Sequence, residues 1–167
     1  VTPSARGLPG EISYELARTI VIAAKGLATT VALSVEEDPD AIVQMVEAVE
    51  PDVLHLCGLE GTFTPQDVAA LRERIPGVAI MQAIAVDGAE AIASAKAYAT
   101  VADYLILDTQ APDIAGIGAS GAVHDWNVSR AIVEQVDVPV ILAGGLSPEN
   151  VADAIRAVRP WAVPPSR

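Results

Sequence analysis

The sequence predicts an α/β fold with parallel strands, and three observations support this prediction. Short apolar runs alternate with helix-spaced apolar patterns along the whole chain. Several of these runs are continuous rather than alternating, as expected for strands that are buried on both faces of a sheet. Some of the runs end in polar or glycine residues, at the end of a strand where α/β proteins bind ligands.

The composition favours one domain over residues 1–167. With 51% hydrophobic residues and a mean hydropathy of +0.40, the chain has material for one packed core and little for a second. No apolar run approaches the roughly 18 residues of a membrane span, and the start lacks a signal-peptide core. Cys57 is the only cysteine, which excludes an internal disulfide and a cysteine-based zinc site. We expect a cytoplasmic protein without a membrane partner, a metal or a cofactor.

The charge balance is strongly acidic. The chain has 22 acidic and 10 basic residues and a formal net charge of -12. Neutralising nucleic-acid phosphates requires a basic surface, so we expect no nucleic-acid partner. Only Lys25 and Lys96 are lysines. An acidic surface with so few lysines is typical of a protein kept soluble in high salt, where screening relieves self-repulsion.

Helical and strand patterns alternate from the start of the chain. Apolar residues recur at helical spacing over 11–24, and Gly26 follows as a stop signal. Residues 28–35 are rich in threonine and valine, which favour a strand. Asp38 and Pro39 are typical of an N-cap and a first helical position, and the helical spacing then continues to residue 49. The next predicted strand covers 53–56.

The same alternation continues to the end of the chain. We predict helices over 64–75, 88–99, 127–135 and 147–158, strands over 78–86, 104–107 and 138–142, and a further element that begins at 161–163. Alternation at this pace implies right-handed βαβ units and a parallel sheet. An open doubly wound sheet and a closed eight-stranded barrel both fit this pattern.

Three motifs carry the most specific signal. A strand ends in Leu107-Asp108-Thr109, a glycine-rich segment leads to Asp125-Trp126, and residues 144–151 read Gly-Gly-Leu-Ser-Pro-Glu-Asn-Val. In this order and at these separations the motifs resemble the phosphoribosylanthranilate isomerase family, (β/α)8 TIM-barrel enzymes of tryptophan biosynthesis. An ordered set of motifs is far more specific than one glycine motif. The resemblance runs over nearly the whole chain and favours the barrel.

The chain departs from the family at both ends. The family begins with a strand reading Lys-Ile-Cys-Gly, whose cysteine is the general base, and its last strand reads Asp-Val-Ser-Ser-Gly-Val-Glu and binds phosphate. Neither is found here. Relative to the family we therefore expect an incomplete barrel that lacks the first strand and the last strand with its helix. Unpaired sheet edges in such a barrel predict self-association.

The resemblance implies an Amadori rearrangement, which needs an acid to open the ribose ring and a base to remove the C2 proton. Asp108 is implied as the general acid if a pocket raises its pKa, whereas a loop-capping role is the alternative. Cys57 is a candidate substitute base, or else a small buried hydrophobic residue. His55 fits a structural histidine with satisfied hydrogen bonds better than a catalytic one.

The remaining candidate residues concern substrate binding. Arg6 resembles the arginine that the family associates with the anthranilate carboxylate, and a mobile terminal arginine is the alternative. Gly144 and Gly145 predict a phosphate-binding turn in front of a helix. Gly116 and Gly118 predict a loop over the site, or a plain solvent loop.

An ordinary strand-to-helix turn, with Ser147 as N-cap and Pro148 at the first helical position, is the alternative for the two glycines of the predicted phosphate site and is compatible with phosphate binding, which the resemblance favours. Two function classes therefore remain. The first is an isomerase that acts on a small phosphorylated substrate. The second is a non-catalytic module that binds a phosphorylated ligand or self-associates.

The acidic composition predicts that salt stabilises the fold. Thermal unfolding in low and in molar sodium chloride should show a higher melting temperature in molar salt, because screening weakens the repulsion among the acidic side chains. A melting temperature that does not change with salt would contradict this interpretation.

Overall fold

The computed structural model describes residues 1–4, 10–58, 61–109 and 123–164. The strands are β1 (Thr2–Pro3), β2 (Glu11–Ile12), β3 (Val31–Ser34), β4 (Val53–Leu56), β5 (Ala79–Ala85), β6 (Tyr104–Asp108) and β7 (Val140–Leu142). The helices are α1 (Tyr14–Ala24), α2 (Pro39–Val49), α3 (Pro65–Arg74), α4 (Glu90–Tyr98), α5 (Trp126–Gln135) and α6 (Val151–Val158). None of the helices in these ranges has the length and apolarity that crossing a membrane requires.

The strand order distinguishes between the two predicted architectures. Strands β3 to β7 lie side by side in chain order, and every neighbouring pair is parallel. A doubly wound sheet would reverse its strand order at a switch point, whereas a barrel adds each new strand on the same side. The open-sheet alternative is therefore wrong, and the architecture is of the barrel type.

Both edges of this sheet are extended by short segments. At one edge, Leu33 N donates to Val1 O at 2.9 Å, and β1 in turn pairs with β2. At the other edge, Ala162 forms a parallel bridge with Ile141. Within the described ranges no strand pairing joins the two edges to each other. The barrel is not closed, as expected for an incomplete one.

The two sheet faces differ in the size of their side chains. The outer face packs against the helices through large aliphatic residues that are fully buried, among them Leu54, Ile80 and Leu105. Successive side chains of a strand point to opposite faces, so the inner face carries the alternate residues. Near the carboxyl ends of the strands these inner residues are small, including Ala83 and Ala85.

Several predicted helix starts are confirmed by their caps. Asp38 caps α2 by accepting a hydrogen bond from Asp40 N at 2.9 Å. Thr64 and Asp67 form a reciprocal capping box at the start of α3. Asp125 caps α5, which begins one residue earlier than predicted.

Other predicted boundaries are wrong. The first helix begins at Tyr14 instead of residue 11, because the Ser13 hydroxyl caps it by accepting a hydrogen bond from Leu16 N, while Glu11–Ile12 pairs with β1. The predicted strands over 28–35, 78–86 and 138–142 are each shorter in the structure. The residues at the ends of these three predicted ranges lie outside β3, β5 and β7.

The last helix also begins later than predicted. It starts at Val151 rather than at Ser147, and Pro148 belongs to a turn. Within this turn the Asn150 side chain accepts a hydrogen bond from Ser147 N at 2.8 Å and donates one to Gly145 O at 2.9 Å. These two bonds from Asn150, rather than a Ser147 cap, shape the connection between β7 and α6.

Candidate active site

Asp108 is the last residue of β6 and lies on the inner face of the sheet. Its carbonyl oxygen accepts a hydrogen bond from Val86 N at 3.0 Å, and the preceding carbonyl, of Leu107, accepts one from Ala143 N at 2.7 Å. These bonds join the end of β6 to both neighbouring strands. They place the Asp108 side chain next to the residue that follows Ala143, which is Gly144.

Three polar atoms converge on Gly144. A Cβ atom added to Gly144 would lie 2.8 Å from Thr109 Oγ1, 2.9 Å from His124 Nδ1 and 3.1 Å from Asp108 Oδ1. Gly144 also has a φ of 81°, in the left-handed region. The structure thus brings together two of the residues that the sequence predicts for the site, Asp108 and Gly144. Only a residue without a side chain fits between these polar atoms.

Burial raises the pKa of the Asp108 carboxyl above its ordinary value, because a carboxylate loses solvation in this environment. A hydrogen bond from Thr109 N to Asp108 Oδ1, at 2.7 Å, acts in the opposite direction and limits the rise. The net direction is upward. A carboxyl group in these surroundings holds its proton closer to neutral pH than an exposed aspartate does.

His124 is a buried residue of this site that the sequence analysis did not assign to it. Its Nε2 atom lies 2.8 Å from Ser129 Oγ, and its Nδ1 atom lies 3.2 Å from Thr109 Oγ1. Burial lowers the pKa of the imidazole, while the nearby Asp125 carboxylate raises it to a lesser extent. The position of His124 directly before the Asp125-Trp126 motif was the available sequence signal.

Cys57 lies on the same inner face as Asp108 but deeper in the barrel. Leu56 pairs with Gln82, and Ala83 pairs with Ile106, so Cys57 lies at the level of Ile106, two residues below Asp108. The thiol is buried in an apolar cluster with Ala83. These surroundings are those of a small hydrophobic residue, and the substitute-base role stays a prediction.

His55 occupies the inner face of β4, where it pairs with Met81 of β5. Its Nε2 atom is buried and has no hydrogen-bond partner among the described residues. Burial lowers the pKa of His55 to about 4, so the ring is neutral at physiological pH. The sequence analysis expected a histidine with satisfied hydrogen bonds, and the Nε2 atom of this ring does not meet that expectation among the described residues.

The remaining predicted site residues have different outcomes. Arg6, Gly116 and Gly118 lie outside the described residues. Gly145 has a φ of 61°, and the later start of α6 moves the helix N-terminus further along the chain from Gly144 and Gly145 than predicted. No cluster of three or more His, Cys, Asp or Glu side chains suited to a metal ion occurs in the described part of the chain.

The crowding at Gly144 predicts a specific sensitivity to substitution. Gly144→Ala should destabilise the fold by more than the roughly 1–2 kcal/mol of left-handed backbone strain, because its Cβ would also displace Thr109 and His124. Gly77 is a matched control, since its φ is 86° and nothing lies within 4 Å of an added Cβ. Urea unfolding should show a larger loss for Gly144→Ala than for Gly77→Ala. Equal losses would show that the polar atoms do not crowd Gly144.

Comparisons with known proteins identify the family. The model of the N-(5'-phosphoribosyl)anthranilate (PRA) isomerase family matches residues 7–163. The isomerase of Haloferax volcanii is 39% identical over 155 residues, which are 93% of this chain and 66% of that protein. The isomerase of Methanocella arvoryzae is 39% identical over 93% of this chain and 70% of its own length. The chain thus spans about two thirds of the length of these relatives.

Solved structures agree with the sequence comparison. The Thermus thermophilus phosphoribosylanthranilate isomerase superposes with a TM-score of 0.72 and 25% identity, over 97% of this chain and 71% of that structure. A phosphoribosylanthranilate isomerase in complex with reduced 1-(o-carboxyphenylamino)-1-deoxyribulose 5-phosphate has a TM-score of 0.69 and 27% identity, over 92% and 67%. The expected barrel-type fold and the resemblance are confirmed. This chain belongs to the N-(5'-phosphoribosyl)anthranilate isomerase family, whose members are aldose–ketose isomerases of tryptophan biosynthesis.

Proposed function

We propose that this chain isomerises N-(5'-phosphoribosyl)anthranilate, with Asp108 as the general acid and the backbone at Gly144 and Gly145 as part of the phosphate site. The convergence of Asp108 Oδ1 on Gly144 is the observation that carries the proposal. A carboxyl group with a raised pKa thus lies beside Gly144.

The acid step follows from the surroundings of Asp108. The protonated carboxyl donates its proton to the furanose ring oxygen, and the C1–O bond breaks as the ring opens. The Asp108 carboxylate that remains keeps the hydrogen bond from Thr109 N at 2.7 Å. Burial favours the protonated acid before the transfer, and this hydrogen bond stabilises the anion after it.

A base then removes the C2 proton, and the resulting enolamine becomes the ketone. Cys57, which lies on the same inner face as Asp108, is the candidate base that the sequence analysis names. Its apolar surroundings disfavour a thiolate. If Cys57→Ser leaves turnover unchanged, Cys57 is not the base.

Two positive φ values in succession, 81° at Gly144 and 61° at Gly145, support the phosphate part of the proposal. Glycines allow backbone N–H groups to approach an oxyanion without interference from a side chain. The related structure that binds a deoxyribulose 5-phosphate derivative supports a phosphorylated small molecule as the ligand class.

The open edges favour self-association as a further part of the proposal. Trp161, which is 65% exposed, packs against Tyr104 beside the Ala162 edge, with ring centroids 5.7 Å apart and ring planes tilted by 44°. A partner strand pairing with this edge would cover the indole ring. A cytoplasmic location and a single domain over 1–167 complete the proposal.

Asp108→Asn tests the catalytic role directly. We expect turnover of N-(5'-phosphoribosyl)anthranilate to fall by about 10²- to 10⁴-fold, because an amide cannot supply the proton. Binding of reduced 1-(o-carboxyphenylamino)-1-deoxyribulose 5-phosphate should be largely retained and should shift the amide NMR signals of Gly144 and Gly145. Asp137→Asn, at an exposed carboxylate before β7, is the matched control and should leave turnover unchanged.

Two outcomes would contradict parts of this proposal. Equal turnover for Asp108→Asn and the unsubstituted chain would exclude Asp108 as the acid. If the unsubstituted chain binds the reduced ligand at Gly144 without any turnover, the non-catalytic binding module is the better assignment.

A further inference from the structure

A series of hydrogen-bonding groups connects helix α5 to Asp108. Ser129 of α5 is fully buried, and its Oγ atom lies 2.8 Å from His124 Nε2. His124 Nδ1 lies 3.2 Å from Thr109 Oγ1, and Thr109 N donates to Asp108 Oδ1 at 2.7 Å. The proposed acid is thus linked to a helix through one imidazole ring and one threonine.

The α5 end of this series of hydrogen-bonding groups is fixed in place. Asp125 caps α5 by accepting a hydrogen bond from Asn127 N at 2.8 Å, and the Ser129 side chain lies one turn further along. The His124 ring has a partner at each nitrogen and is 9% exposed. Its orientation is therefore determined by two hydroxyl groups that belong to different parts of the fold.

The neutral ring needs one hydroxyl as a donor and the other as an acceptor. Ser129 is fully buried, so its hydroxyl hydrogen requires an acceptor, and His124 Nε2 is available at 2.8 Å. With Ser129 as the donor to Nε2, the ring hydrogen lies on Nδ1 and is donated to Thr109 Oγ1.

We propose that His124 is a positioning residue that holds Thr109 against both Asp108 and Gly144. This inference rests on the proposed function, because the placement of Thr109 matters for catalysis only if Asp108 is the acid. Held by Ser129, the ring fixes the Thr109 hydroxyl beside Gly144 and keeps the Thr109 N–H on Asp108 Oδ1.

A neutral ring suits this position better than a charged one. The ionisable groups among the described residues that face His124 are Asp108, at the end of β6, and Asp125, at the start of α5. Burial opposes the charge that Asp125 favours. An imidazolium at this place would stabilise the Asp108 carboxylate and remove the proton that the acid must donate. The neutral ring orients Thr109 without that effect.

NMR titration of the full 167-residue chain tests the inference without requiring turnover. Carbon-13 signals of the Asp108 carboxyl give its pKa, and nitrogen-15 signals of His124 give its tautomer. In the unsubstituted chain we expect one neutral tautomer, with the hydrogen on Nδ1. Ser129→Ala and Thr109→Val should raise the pKa of Asp108 by about half to one pH unit, because Thr109 N–H then leaves Oδ1.

Two further variants serve as controls, and a third repeats the test. Thr109→Ser keeps the hydroxyl and should preserve the pKa of Asp108. Ser94→Ala, on α4, removes a hydroxyl outside this series of contacts. It should change neither the pKa of Asp108 nor the tautomer of His124. His124→Phe fills a similar space without ring nitrogens and should match Ser129→Ala; if it does not fold, Ser129→Ala and Thr109→Val carry the test.

The inference is overturned if the pKa of Asp108 is the same in the unsubstituted chain, Ser129→Ala and Thr109→Val, or if the unsubstituted ring exchanges between tautomers. Its failure can be told apart from failure of the proposed function. If Asp108→Asn retains full turnover, the proposed function is refuted. The dependence of the Asp108 pKa on Ser129 and Thr109 can still hold in that case. An unmoved pKa of Asp108 together with a strong loss of turnover in Asp108→Asn refutes only the role of His124.

Discussion

The parallel pairing at the ends of β5, β6 and β7 is the constraint on which the site depends. Val86 N and Ala143 N donate to the carbonyl oxygens of Asp108 and Leu107, at 3.0 and 2.7 Å. A slip of one residue would turn Asp108 toward the outer face, into the layer of large aliphatic side chains beneath the helices. Because that layer excludes a carboxylate, the hydrophobic pattern of β6 and the position of the proposed acid specify the same register.

The difference between the two faces explains how this position changes the chemistry of Asp108. Large residues on the outer face fix the helices, while small residues such as Ala83 and Ala85 line the upper inner face. The carboxyl group on this inner face is withdrawn from bulk water, which raises its pKa. At a formal net charge of -12 the chain as a whole repels anions, so the phosphorylated ligand of the proposed function would depend on local N–H groups and on screening by salt.

The sequence predicts the order and type of most elements because caps and periodicity are local signals. Asp38 and Thr64 mark helix starts through bonds to residues two or three positions away. The prediction failed where a local signal was ambiguous. Ser147-Pro148 resembles a helix start, but the side-chain amide of Asn150 makes hydrogen bonds to Ser147 N and Gly145 O and stabilises a turn there. Helix α6 therefore starts at Val151. Barrel and open sheet could not be separated by pattern, since strand order depends on contacts between distant segments.

The candidate site was predictable in part for the same reason. Asp108 and Gly144 carry recognisable local motifs, and the parallel sheet brings their strand ends together. His124 contacts Ser129 through one ring nitrogen and Thr109, 15 positions earlier in the sequence, through the other. Such a contact follows from the return of the chain to β6, which no spacing in the sequence specifies.

The pH dependence of stability, compared between the unsubstituted chain and Asp108→Asn, tests the central claim most directly. An aspartate whose folded pKa is raised keeps its proton in the folded state while the unfolded state loses it, so stability falls as pH rises from the unfolded to the folded pKa. Urea unfolding across this range should show that Asp108→Asn gains stability relative to the unsubstituted chain as the pH rises, so that Asp108→Asn is the more stable protein at neutral pH. If Asp108→Asn instead loses stability relative to the unsubstituted chain as the pH rises through this range and is the less stable protein at neutral pH, Asp108 is not a buried acid facing Gly144.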